Sequence, residues 1–170
     1  VSRDWSSDVC SSDLDAALLA TPVKEADLTA LELFTEPFLA ALPQQHRLAK
    51  QKSVRESDLS KDLMVLAEGH CLAAQALAVC RVRSRNPAAL HAASLDTLVN
   101  LTAAGYGTTL VPAFAADALS RRGVVLRPFL GAASRTIRLV SRASFPRPQA
   151  LRAIEKIIRT AVKPQVATRK

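Results

Sequence analysis

Two cysteines are spaced to do chemistry together. Cys71 follows Gly69-His70 and opens the helix-forming run CLAAQALAVC, which closes nine residues later on Cys80. A sulfur on the opening turn of a helix sits near backbone N–H groups that have no intrahelical partner. The positive end of the helix dipole there favours thiolate, the nucleophilic form. A protonated His70 would add to that field if the turn brought it close, whereas a solvated turn histidine would contribute nothing. An isolated cysteine is usually a small buried hydrophobe, so the pair carries the argument. On one continuous α-helix, nine steps of about 100° put the two sulfurs on opposite faces, roughly 13 Å apart along the axis. A disulfide needs Cα atoms within about 7 Å. Joining them therefore requires the segment to unwind and repack, as in a two-state thiol switch. The expected path is oxidation of Cys71 to sulfenic acid, then condensation with Cys80 as resolving thiol.

Composition narrows the setting. The chain has 170 residues, half of them apolar, enough to bury a core as one domain or two small lobes. Its three cysteines are an odd count, and the opening residues show no basic-then-apolar leader, which together predict a reducing, cytoplasmic location. No metal is expected, since Cys71 and Cys80 lack short ligand spacing and His46, His70 and His91 show no ligand periodicity. No other cofactor motif is visible. Apolar stretches such as 16–20 and 63–67 are far shorter than the roughly 20 residues that span a bilayer, so no membrane partner is expected. The net charge of +8 suits a polyanionic partner, but Lys and Arg are spread thinly from Arg47 to Lys170. There is no helix-turn-helix pattern, Cys/His finger or aromatic-basic stacking motif. Any contact with DNA must come from a part of the protein outside these residues.

The elements that would position the cysteines can be read in outline. Residues 1–13, within the string VSRDWSSDVCSSDL, carry no structural period and resemble a translated sequencing adapter, so Trp5 and Cys10 are set aside. LDAALLATPV reads as a short buried strand, and LELF and PFLAAL as two strand segments broken at Glu36-Pro37. Residues 46–61 read as a surface loop with one helical turn, anchored by Leu48, Val54 and Leu59. LMVLAEGH gives a buried strand and a turn at Gly69, and the next helix should line up Leu72, Ala76, Val79 and Cys80 against a sheet. Ser94 is an N-cap for LDTLVNLTAA, with Gly105 as its C-terminal cap. GTTLV is a strand ending at Pro112, AFAADALS a short helix, and VVLRPFL and RTIRLVSR are strands. From Pro148 a helix should carry Leu151, Ile154, Ile157, Ile158 and Val162 on one face, with a frayed, flexible tail over 164–170. Strands alternating with helices imply an open α/β sheet.

The strings LFTEPFLAALP, LMVLAEGHCLAAQALAVC, SLDTLVNLTAAGYGTTLVPAFA and RTIRLVSR resemble the regulatory domain of LysR-type transcription regulators. The resemblance runs from Leu14 to about Val162. Its most specific piece, GHCL-x2-QAL-x2-C, is that of the family's peroxide sensors. The resemblance implies an α/β fold of two periplasmic-binding-protein-like lobes, one of them incomplete. Residues 14–32 with 138–163 would form the partial lobe, and residues 33–137 the lobe with the redox cysteines. It further implies that Cys71 reacts with hydrogen peroxide, that Cys80 resolves it, and that His70 and Arg135 neighbour the peroxide site. A fixed arginine charge there would favour thiolate, although Arg135 could equally be an ordinary strand-edge charge. Implied partners are hydrogen peroxide, further copies of the chain as homodimer or homotetramer, a cellular thiol reductant, and DNA bound only through a missing N-terminal winged helix-turn-helix. That module, a linker helix and the first strand of the partial lobe would precede Leu14. Ala73-Ala74 stands where the family commonly has Arg-Asp, removing polar groups expected to support the reduced site. A domain sensing a small metabolite without redox chemistry is the rival reading. A thiol peroxidase is a third, set aside because no peroxidase motif is present; the chain is expected not to be an enzyme.

Overall fold

The computed structural model describes residues 14–82 and 91–167. Strands β1 (Ala16–Leu19), β2 (Leu28–Pro43) and β3 (Val65–Leu66) come first. They are followed by helix α1 (Cys71–Val79), β4 (His91–Ala92), α2 (Leu95–Ala103), β5 (Thr109–Pro112), α3 (Ala116–Ser120), β6 (Val124–Pro128), β7 (Ser134–Arg142) and α4 (Pro148–Ala167). The chain divides into two compact units, one made of residues up to Glu36 and from Arg135 onward, the other of Pro37–Ser134.

In the first unit β7 lies between β1 and the N-terminal part of β2. It pairs antiparallel with β1, Ala16 opposite Ser141 and Leu19 opposite Arg138. Leu33, Ile137, Leu139, Val140 and Val162 are its buried apolar residues. β1 is a strand, but not a buried one: Leu18 is 55% exposed, since a sheet edge with a single neighbour covers only part of its side chains. The stripe of α4 turned inward is Leu151, Glu155, Ile158 and Val162, spaced by four, three and four. Ile157, expected on it, is 67% exposed, because a face wide enough to take 154 and 157 as well exceeds what this sheet covers. Arg159 on α4 donates from Nη1 to the Leu33 carbonyl at 2.7 Å. The helix continues through Pro164 to Ala167 where a tail was expected; a proline removes one backbone hydrogen bond without by itself ending a helix.

In the second unit the C-terminal part of β2 is flanked by β5 (Ala41 opposite Thr109) and β6 (Pro43 opposite Val124), both antiparallel. β3 and β4 form a separate parallel pair. One core gathers Phe38, Leu42, Leu48, Val54, Leu59, Leu72, Ala76, Cys80, Leu98 and Leu110. The three residues expected to anchor the 46–61 loop, Leu48, Val54 and Leu59, are all fully buried, over two short 3-10 turns at Arg47–Lys50 and Glu56–Leu59.

Glu36-Pro37 does not break β2, which is a single 16-residue strand. Proline has no N–H to give a sheet, but the ladder resumes at once, with Phe38 N donating to the Ala133 carbonyl at 2.9 Å. Among the described residues no helix is long and apolar enough to cross a membrane.

Candidate functional site: a thiol-bearing helix

The site is built from the turn upward. After β3 the backbone takes a left-handed conformation at Gly69 (φ 93°), which glycine adopts without steric penalty. His70 follows in extended conformation as the N-cap of α1; its side chain makes no capping hydrogen bond, while its carbonyl accepts from Ala73 N at 2.9 Å. Cys71 is therefore the first helical residue, exposed at the N-terminal turn of the helix. Leu72, Ala73 and Ala76 are buried along the helix and Val79, half-buried, packs against the same core, so the inward face holds the expected residues and takes in Ala73 as well. Of the two alanines that depart from the family pattern, Ala73 fills core space and Ala74 is exposed.

Cys80 is the C-cap, and its N–H donates to the Ala76 carbonyl at 3.0 Å. Its thiol is free and only 1% exposed. The helix is unbroken from Cys71 to Val79, so nine steps of about 100° separate the sulfurs by half a turn. One lies outside and the other in the core. Burial, and then the negative charge of Glu56, push the Cys80 thiol up to about 12 from its ordinary 9.0. At neutral pH Cys80 is a protonated, inaccessible thiol, and Cys71 is the sulfur available to an oxidant.

Glu56 is the residue that sequence reasoning missed. It opens the 3-10 turn Glu56–Leu59 between Val54 and Leu59, which share a core with Cys80. Hydrogen bonds from Val54 N to the Pro128 carbonyl (3.0 Å) and from Leu130 N to the Val54 carbonyl (2.8 Å) bind this segment to residues 128–130. Gly131 leaves room for the carboxylate: a Cβ there would lie 2.2 Å from Glu56 Oε1. Glu56 and Cys80 are 24 positions apart, and nothing in the local pattern announces their proximity.

Of the other expected site residues, His70 shares the exposed end of α1 with Cys71. Arg135 belongs to the first unit. Its Nε and Nη2 reach Glu36 Oε1 at 2.8 and 2.7 Å, and that carboxylate is 2% exposed. These are the last residue before the chain leaves the first unit and the first after it returns. His46 is a structural histidine: Nε2 lies 3.3 Å from Asp62 Oδ2 while Nδ1 accepts from Leu48 N, the arrangement of a neutral Nε2–H imidazole. His91 has its backbone in β4, and its side chain lies outside the described residues, as does Cys10. Among the described residues no three His, Cys, Asp or Glu side chains gather as a metal site.

The chain belongs to the family of LysR substrate-binding domains, whose model matches residues 2–163. Within that family it is similar to activators of hydrogen peroxide-inducible genes. It is 40% identical over 151 residues to a probable hydrogen peroxide-inducible genes activator of Mycobacterium avium, covering 85% of this chain and 48% of the relative. The structure is similar to a cysteine-to-serine mutant of Corynebacterium glutamicum OxyR with hydrogen peroxide bound (TM-score 0.81, 31% identity, 91% of this chain and 51% of that one). It is also similar to the reduced OxyR regulatory domain of Pseudomonas aeruginosa (TM-score 0.76, 34% identity, 86% and 73%). The chain spans about half the length of the curated relatives it matches.

Proposed function

We propose that this chain is the redox-sensing effector domain of a LysR-type transcription regulator, responding to hydrogen peroxide through a Cys71–Cys80 thiol/disulfide switch. The observation that carries the reading is the opposed placement of the two thiols on one intact helix, Cys71 exposed at its first residue and Cys80 buried at its cap. In the first step the Cys71 thiolate attacks one peroxide oxygen. The O–O bond breaks, the sulfur loses two electrons, and with one proton taken up the products are sulfenic acid and water. In the second step α1 unwinds and the Cys80 sulfur displaces hydroxide from the Cys71 sulfur. An S–S bond forms, an S–O bond breaks, and the Cys80 proton leaves with the hydroxide as water.

His70, beside Cys71 at the exposed end of α1, is the neighbour proposed to hold peroxide against the thiolate. A cytoplasmic thiol reductant supplies the two electrons and two protons that restore both thiols. Repacking of α1 is the conformational signal, passed on within a homodimer or homotetramer to DNA held by a separate N-terminal module.

The test is one equivalent of hydrogen peroxide on the reduced chain, with peptide mapping and far-ultraviolet circular dichroism. The expected result is an intrachain Cys71–Cys80 bond with loss of helical signal. Thiols that remain unreacted would instead favour a metabolite-binding effector domain. Cys71 found only over-oxidised, or bonded to Cys10, would overturn the switch.

A further inference from the structure

The protein contains two helices of equal length with opposite terminal chemistry. Both α1 and α2 have nine residues, and both close with the same hydrogen-bond pattern. In α2, Gly105 N donates to the Thr102 carbonyl (2.9 Å) and Tyr106 N to the Leu101 carbonyl (3.1 Å). In α1, Arg81 N donates to the Ala78 carbonyl (3.2 Å) and Val82 N to the Leu77 carbonyl (2.9 Å). This closure places one residue in the left-handed region, a position that glycine fills without steric penalty. In α2 that residue is Gly105, at φ 89°. In α1 it is Arg81, at φ 54°, the one non-glycine residue with positive φ among those described.

The opposite ends differ in the same sense. α2 is capped by Ser94, whose hydroxyl accepts from Thr97 N at 3.1 Å, and carries Asp96 in its first turn. α1 begins on a histidine that makes no capping bond, and has no acid in its first turn and no base in its last.

We infer that Arg81 is a positioning residue for the resolving thiol: the helix closure it makes next to Cys80 is strained, and that strain sets how readily α1 unwinds once Cys71 is oxidised. The inference rests on the switch proposed above and adds a residue to it. Unwinding releases Arg81 into ordinary backbone space, so the strain counts against the reduced helix and not against the repacked chain. A left-handed conformation disfavours an L-residue by roughly tenfold, and glycine's greater freedom in the unwound chain cancels part of that difference. Arg81→Gly should therefore favour the dithiol by about fivefold.

The test uses the full chain as wild type, Arg81→Gly and Arg81→Ala, the last removing the guanidinium while keeping the strain. Against glutathione redox buffers, Arg81→Gly should shift the Cys71–Cys80 equilibrium about fivefold toward the dithiol and slow conversion of sulfenic Cys71 to disulfide, leaving the initial reaction of Cys71 with peroxide unchanged. Arg81→Ala should behave as wild type. In the reduced chains, amide hydrogen exchange over residues 76–82 should slow about fivefold in Arg81→Gly alone. Equal exchange in wild type and Arg81→Gly, or equal shifts in both variants, would overturn the inference. A wild-type chain that forms no Cys71–Cys80 bond would overturn the proposed function instead, and the exchange comparison would still decide whether Arg81 strains the helix.

Discussion

Alkaline pH should loosen the reduced protein through Cys80. Its pKa is pushed up to about 12 in the folded chain, against 9.0 for an unperturbed thiol. The folded state thus holds the thiol proton more tightly than the unfolded state. The corresponding stabilisation is complete below pH 9, falls as pH rises from 9 toward 12, and is lost above 12. Three units at 1.36 kcal/mol each set its size at about 4 kcal/mol, of which roughly 2 kcal/mol is gone at pH 10.5. The informative quantity is a difference between proteins. Urea unfolding of reduced wild type and Cys80→Ala at pH 8.5, 9.5 and 10.5 isolates it, because both share every other group. The stability of wild type relative to Cys80→Ala should fall by about 2 kcal/mol between pH 8.5 and 10.5. Parallel stability curves for the two proteins would refute the reasoning. Glu56 is the second cause of the raised pKa, so Glu56→Gln should move the upper end of the window to lower pH without abolishing it.

Four further outcomes follow. Cys80→Ser removes the resolving thiol, and peroxide-treated protein should retain Cys71 as sulfenic acid, detected by dimedone labelling and mass spectrometry. Ser94→Ala removes the hydroxyl that caps α2 and should lower stability by about 1 kcal/mol in urea unfolding. Gly107→Ala would place a Cβ 2.5 Å from the Asp62 backbone carbonyl, which must then shift, and should cost about 2 kcal/mol. Gly131→Ala meets only the end of the Glu56 side chain and should cost distinctly less by the same measurement.

The legible parts of this chain were those written locally. Helix formers between Cys71 and Cys80 mark α1, Ser94 and Gly105 mark both ends of α2, and three isolated apolar residues anchor the loop before β3. Pro37 misled because its effect on a strand depends on what the next residue bonds to, and Phe38 finds the Ala133 carbonyl nearly a hundred positions away. The exposure of Ile154 and Ile157 depends on how much of α4 its sheet can cover, which periodicity within the helix does not report. At the site, sequence spacing placed the two sulfurs on opposite sides of a helix, and the structure puts one outside and one in the core. The Glu56 charge felt by Cys80 and the pairing of Arg135 with Glu36 join segments 24 and 99 positions apart, which no local pattern encodes.

The opposed thiols have a consequence for metals. A soft ion such as copper(I) binds tightly where two or more thiolates reach it at once, and zinc in thiolate sites lies about 2.3 Å from each sulfur. A cysteine pair is ordinarily a ready trap for such ions. On an intact α1 an ion at Cys71 does not reach the Cys80 sulfur, which lies on the other side of the helix with its proton in place. Housing the second sulfur this way keeps the two thiols from closing together on one ion while the helix is intact.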